Sequence, residues 1–157
     1  MVTAKGDSGT KLITQNRKAR YEYSIEETYE AGLVLTGTEV KACREGRANL
    51  TDAYAMIDKE EAYLLQCHIS PYSHGNRVNH EPLRPRKLLL HRSEVDKLKV
   101  KSSQEGRTLV PLRLYFKSGY VKAEIAVARG KKSHDKRADI ATREAQRRMR
   151  QLEGRRR

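Results

Sequence analysis

Four groups of residues in this chain have types and spacings that could do chemistry. Gly130-Lys131-Lys132-Ser133 carries the cation of a phosphate loop, but Ile125 stands where the first glycine would be and Lys132 occupies the hydroxyl position, so the nucleotide cradle is incomplete. Cys67, His68, His74 and His80 could be drawn as metal ligands, yet no CxxC or HExxH spacing accompanies them, and loop histidines more often serve as polar surface or RNA contacts. His68 or His80 with a carboxylate could cleave RNA by acid and base catalysis, but the sequence supplies no paired partner. No enzymatic activity, cofactor or metal is therefore expected. The fourth group is ionic: residues 129–157 hold twelve Lys or Arg against four acids, which is +8 of the formal +13, and the other 128 residues share +5. A balanced body with a concentrated basic tail suits a polyanion, because each cation set against a phosphate releases condensed counterions. RNA is the expected partner.

These groups need a frame to hold them. A chain of 157 residues and 18.0 kDa fits one domain large enough to bury a core. No apolar run approaches the roughly 18 residues a membrane span requires, and the first residues lack the apolar stretch of a signal peptide, so a cytoplasmic protein is expected. Cys43 and Cys67 are too few and too far apart for a disulfide framework and read as buried, reduced thiols. Residues 1–14 are small, polar and aperiodic, which predicts a flexible leader with order beginning near Asn16.

Tyr21, Tyr23 and Ile25 alternate with Glu22, Ser24 and Glu26, the period of a half-buried strand, which Leu33-Val34-Leu35 prolongs past Gly32. Thr36 with Glu39 makes a capping box and Gly46 offers a left-handed stop, so residues 37–45 read as a short helix. Residues 54–57 and 62–69 flank the polar turn Asp58-Lys59-Glu60-Glu61 as a hairpin. Residues 70–87 contain Pro71, Gly75, Pro82 and Pro85 without an apolar period, and so long an irregular connection reads as a binding loop. Ser93 as N-cap, followed by Glu94 and Asp96, predicts a second helix that frays near Lys101. Val110, Leu112, Leu114 and Phe116 alternate inward, and Lys117-Ser118-Gly119 turns the chain. Val121, Ala123, Ile125 and Val127 then alternate against Lys122, Glu124, Ala126 and Ala128, while Pro111 demands an edge or a bulge.

This order predicts a mainly β fold, an OB-like antiparallel β-barrel with short associated helices over residues 15–132, with an open sheet packed on helices as the alternative. Residues 133–157 form a basic C-terminal tail. Its stripe Ala141, Ala145, Met149 and Leu152 includes two alanines and can bury little, so the tail is expected to be disordered when free and helical on binding.

Several segments taken in order resemble the SsrA-binding protein family, also called small protein B. They are Asn16-Arg17-Lys18-Ala19-Arg20, Ile25-Glu26-Glu27-Thr28-Tyr29-Glu30-Ala31-Gly32-Leu33, Thr36-Gly37-Thr38-Glu39-Val40-Lys41, Arg86-Lys87-Leu88-Leu89-Leu90-His91, Leu114-Tyr115-Phe116, Gly130-Lys131-Lys132 and Asp135-Lys136-Arg137. The resemblance spans residues 16–143. It implies an adaptor that binds the tRNA-like domain of transfer-messenger RNA and brings it to stalled bacterial ribosomes, standing in for a missing anticodon arm and performing no chemistry itself. The tail would enter the empty mRNA channel and become helical. Elongation factor Tu and alanyl-tRNA synthetase would be linked only through the shared RNA.

By position, the resemblance assigns RNA contact to Glu30, Leu89 and His91, with Asn16, Arg17, Lys18, Arg20, Tyr21 and Lys87 in support. A carboxylate such as Glu30 is repelled by phosphate unless it accepts from a base edge or orients a neighbouring Arg; the plain alternative is a solvated acid at a strand end. Leu89 is either core or an apolar contact to an unstacked base, and His91 either surface or a stacking partner. Gly130, Lys131 and Lys132 are assigned RNA contact as well, at the link from barrel to tail, with Gly130 at a turn closed to side chains. Asp135, Lys136 and Arg137 are expected at the small-subunit decoding region, Asp135 first as a charge at a helix N-terminus. Arg143, Arg147 and Arg150 are expected to face ribosomal RNA. Two positions depart from the family pattern. Tyr21 replaces a common His and cannot become cationic near neutral pH, and Pro85 stiffens the loop before the RNA-facing segment. The competing reading is a general RNA-binding or ribosome-assembly protein whose tail is an assembly arm.

Overall fold

A computed structural model describes residues 9–73, 79–131 and 133–155, with the backbone alone at 133–136, 138, 139 and 152–155. Most of the expected leader (residues 1–8), the middle of the expected binding loop with His74 and Gly75, and Lys132 lie outside the described residues.

Among the described residues, nine strands and four helices follow one another. The strands are β1 Thr10–Gln15, β2 Tyr23–Leu33, β3 Ala48–Asn49, β4 Tyr54–Asp58, β5 Glu61–Leu65, β6 His68–Ile69, β7 Arg86–Leu89, β8 Arg107–Lys117 and β9 Tyr120–Gly130. The helices are α1 Ala19–Glu22, α2 Gly37–Arg44, α3 Arg92–Ser102 and α4 Ser133–Arg155. Strands β8, β4, β5, β7, β2 and β9 pair antiparallel in that order, and β9 returns to β8, so the sheet closes into an OB-like barrel. β8 is long enough to share its other edge: Leu109 pairs with β4, and Arg113 to Lys117 pair with β1. β3 and β6 form a separate two-stranded ribbon.

Two bulges explain how the barrel is filled. The register of β8 on β9 shifts between Pro111 and Arg113, as a strand proline that cannot donate to a ladder requires. One extra residue reverses the alternation. Leu109 lies in the barrel core before the bulge and Leu114 after it, whereas Val110 and Leu112 turn to the outer face. That corrects the expectation that Val110 and Leu112 share a face with Leu114. A second shift, between Ile25 and Glu27, does the same to β2. On the outer face Val110, Leu112, Ala126 and Ala128 bury against Ala19 of α1, so the two alanines expected to point outward are covered.

Local signals elsewhere are met or corrected. The Thr36 amide donates to Glu39 Oε1 at 2.8 Å, closing the capping box, and Gly46 stops the helix with φ +72. Thr10–Gln15, all but Gln15 expected to belong to the flexible leader, form β1, because they find the free edge of β8, a partner that polar composition does not reveal. Tyr21 sits in α1, and the strand starts at Tyr23. Residues 62–69 do not form one strand, because Gln66 takes φ +57 and diverts His68 and Ile69 to β3. α3 starts at Arg92, one residue before Ser93, with His91 as N-cap; the His91 amide donates to Glu94 Oε1 at 3.1 Å.

The described part of the 70–87 connection is turned inward. Glu39 and Arg86 are both fully buried; Arg86 Nε donates to Glu39, Arg86 Nη1 to the Cys67 carbonyl at 2.5 Å, and Arg84 Nε to Glu39 Oε2 at 3.1 Å. Pro85 separates the two arginines. Burial pushes the Glu39 carboxyl up, but Arg84, the Thr36 amide and Arg86 together outweigh it and hold the group below the ordinary carboxylate value. His80 donates from Nε2 to the Ile69 carbonyl at 2.8 Å, with Nδ1 2.9 Å from Thr38 Oγ1. Cys43 and Cys67 are free and buried, and burial pushes their thiols up to about 12 and about 11.

The tail, expected to be disordered when free, is helical here as α4. The described side chains from Ile140 to Gln151 are exposed, so the stripe of Ala141, Ala145 and Met149 buries nothing against the barrel. No helix among the described residues is long and apolar enough to cross a membrane.

Candidate nucleic-acid interface

Directly paired residues in a sheet point to the same face. Gly32 of β2 pairs with Leu89 of β7 and Lys122 of β9, Lys122 with Tyr115 of β8, and Tyr115 with Leu12 of β1. One pleat away Glu30 pairs with Glu124, Glu124 with Arg113, and Arg113 with Gln15. One row thus crosses five strands and the other four on the outside of the barrel. β7 alternates strictly: Arg86 and Leu88 point in, Lys87 and Leu89 point out, and Leu89 is 54% exposed. This removes the core reading of Leu89, since the core is served by Leu88.

Glu30 lies within β2 rather than at its end. The Tyr115 hydroxyl donates to it, and Lys117 Nζ donates to its two oxygens at 3.2 and 3.3 Å. The Tyr115 bond does most to hold the Glu30 carboxyl below its usual range, against a smaller upward push from burial. Tyr115 itself is buried, and burial followed by the Glu30 contact pushes its phenol well up. Arg113 stacks its guanidinium 4.5 Å from the Tyr115 ring centroid and donates from Nε to Glu124 Oε2 at 3.2 Å. The neighbours that orient Glu30 are thus a tyrosine and a lysine, not an arginine. A carboxylate fixed in this way stays ionised and offers acceptors to a base edge rather than to phosphate.

Glu30, Leu89 and His91 line one hollow, together with Gly32, Leu90 and Lys122. Arg17 and Arg20 line a second, with Asn16, Gln15, Arg113 and Glu124. Glu124 and Arg113 therefore join the row that carries Glu30 to the cations around α1. Lys18, the N-cap of α1, is exposed beside them. Lys87 sits two residues from Leu89 on the same face, 3.4 Å from Glu61.

Two positions have structural work that the sequence did not announce, and a third departs from its expected geometry. Asn16 donates its side-chain amide to the carbonyls of Leu50 and Pro111 at 3.4 and 3.3 Å, so it secures the turn into α1. Lys131 caps α1: its backbone amide donates to the Glu22 carbonyl at 3.0 Å and its Nζ to the Arg20 carbonyl at 2.8 Å. Gly130 is not at a turn. It ends β9 paired with Tyr23, has no left-handed φ, and a Cβ there would meet open space.

In the tail, Arg143 lies 5.9 Å from the Tyr21 ring centroid, which links α4 to α1. Arg143, Arg147 and Arg150 line one side of α4 with Gln146, and Arg137 is exposed. Residue 135 falls in the first turn of α4, but the side chains of Asp135 and Lys136, like all of Lys132, lie outside the described residues.

Sequence reasoning missed Arg113, Tyr115, Lys117, Lys122 and Glu124 as parts of this face. Their alternation with buried residues placed them outside the barrel, but only the cross-strand register shows that they surround Glu30.

The family model described as SmpB protein matches residues 13–154. An SsrA-binding protein of Symbiobacterium thermophilum is 58% identical, covering 97% of this chain and 98% of the relative. SsrA-binding proteins of Geobacillus thermodenitrificans and Thermobifida fusca are each 59% identical, covering 87% and 95% of this chain and 88% and 93% of those relatives. A solved chain described as "tmRNA-SmpB: a journey to the center of the bacterial ribosome" matches with a TM-score of 0.66 at 48% identity, covering 76% of this chain and 85% of that one.

Proposed function

The chain belongs to the SmpB protein family, and from that premise we propose how an adaptor that binds transfer-messenger RNA in trans-translation uses this barrel and tail. The face of Glu30, Leu89 and His91 receives the tRNA-like domain of the RNA. Arg17, Lys18, Arg20 and Lys87 neutralise phosphates around it, fixing orientation while the central groups read base edges and unstacked bases. Asn16 and Lys131 act indirectly by holding α1, and hence Arg17 and Arg20, against the barrel.

The observation that carries this reading is the pair of cross-strand rows, which set an exposed leucine and an ionised carboxylate side by side with cations at both ends. The barrel, residues 15–132, serves the RNA. The tail, residues 133–157, serves the ribosome: Asp135, Lys136 and Arg137 meet the decoding region, and Arg143, Arg147 and Arg150 follow the mRNA channel. The protein works in the cytoplasm as a binding partner, without catalysing a reaction, and meets elongation factor Tu and alanyl-tRNA synthetase only through the RNA.

Truncation after Arg137 tests this division of labour. Binding of the tRNA-like domain is expected to stay within a few-fold of the full chain while tagging on stalled ribosomes is lost; loss of both activities together would contradict it.

A further inference from the structure

Beside the hollow that holds Glu30 and His91 lies a groove of about 220 Å³ between β2, β7, β9 and the start of α2. Leu35, Val40 and Leu89 supply apolar walls, and Tyr120 and Lys122, successive outward residues of β9, complete the lining. Tyr120 is 72% exposed, the most open of the exposed large apolar and aromatic side chains among the described residues. Its place is set by the two-residue turn before it, in which Ser118 and Gly119 take φ +52 and +82 and pair Lys117 with Tyr120 across the hairpin. Gly32 forms the floor. A Cβ there would lie 3.3 Å from Leu89 Cβ, so the absence of a side chain lets Leu89 lean over β2 and narrow the groove.

Groove and hollow share Gly32, Leu89 and Lys122, so whatever occupies the hollow passes the mouth of the groove. An aromatic ring and a cation lining one groove with aliphatic side chains match the chemistry of an unpaired nucleobase: two apolar faces and a phosphate close by. We propose that this groove seats one unstacked base of the bound RNA, with Tyr120 stacked on its face, Leu89 and Val40 against its edge, and Lys122 on the adjoining phosphate. The proposal rests on the RNA-binding reading above and assigns Tyr120 a role in telling the tRNA-like domain from fully stacked RNA.

The test measures affinity of the full chain for the tRNA-like domain of transfer-messenger RNA over a series of salt concentrations. Tyr120→Ala is expected to weaken binding roughly ten-fold with an unchanged slope against salt, because the ring carries no charge. Tyr120→Phe, which keeps the ring, recovers the affinity that Tyr120→Ala loses. Lys122→Gln instead lowers the magnitude of the slope by about one. Thermal midpoints of the Tyr120 variants check that the fold is intact, as expected for so exposed a side chain. If Tyr120→Ala binds like the parent while Leu89→Ala is weakened, the base seat is wrong and the RNA face stands. If the parent shows no preference for the tRNA-like domain, the functional reading itself falls.

Discussion

Glu39 and Glu30 show how a carboxylate's surroundings decide its work. Glu39 is sealed inside with Arg86, held also by the half-buried Arg84, and it caps α2. Removing one member of a buried ion pair strands the other, at a cost of about 3–5 kcal/mol. Glu39→Gln is therefore expected to lower the denaturant midpoint by that free energy, without any change at the RNA face. The pH dependence has a definite sign. The folded pKa of Glu39 lies below its unfolded value, so its contribution is complete above the unfolded value and disappears as pH falls through the folded one. Acid titration of stability should show this loss in the parent and a flatter acid limb in Glu39→Gln; identical limbs would contradict the role given to Glu39. Glu30, by contrast, is spread over the surface with Tyr115 and Lys117, where solvent limits its worth to stability and leaves its oxygens open to a ligand.

At the scale of elements, features with local causes were legible in the sequence and features with distant causes were not. The capping box at Thr36, the left-handed stop at Gly46, the turn at Ser118-Gly119 and the bulge at Pro111 are each encoded within four residues. The position of β1 depends on an edge of β8 about a hundred residues away, and the break at Gln66 depends on β3 needing a partner. Neither leaves a periodic trace. For the candidate site, the outward alternation of Lys122 and Glu124 was readable, but their place beside Glu30 follows from register alone. The tail extends this reasoning. A helix with no buried stripe must rest on propensity and a few side-chain pairs, and isolated helices of this kind are marginal in water. Among the described residues, Arg143 over Tyr21 ties α4 to α1. A peptide of residues 133–157 is thus expected to give a weak helical circular-dichroism signal in water and a strong one in trifluoroethanol. A fully helical signal in water would show that the helix needs neither the barrel nor the ribosome.

The whole molecule divides its charge as it divides its labour. Residues 1–128 hold +5 of the formal +13, and residues 129–157, the end of β9 with the tail, hold +8. Diffuse attraction to any RNA must come mainly from the tail, and selectivity must come from the barrel face, where phosphate-neutralising cations surround uncharged and acidic groups that phosphate does not attract. A general RNA binder would lose affinity for every folded RNA alike as salt rises; this arrangement should keep a preference after the diffuse part is screened. Gel-shift competition at near-physiological salt tests that claim most directly, setting the tRNA-like domain of transfer-messenger RNA against ordinary alanine tRNA and an unrelated duplex RNA. The account predicts that the tRNA-like domain displaces both competitors and is itself poorly displaced by either. Equal competition by all three, erased together by added salt, would contradict it and reduce the barrel face to an unselective basic surface.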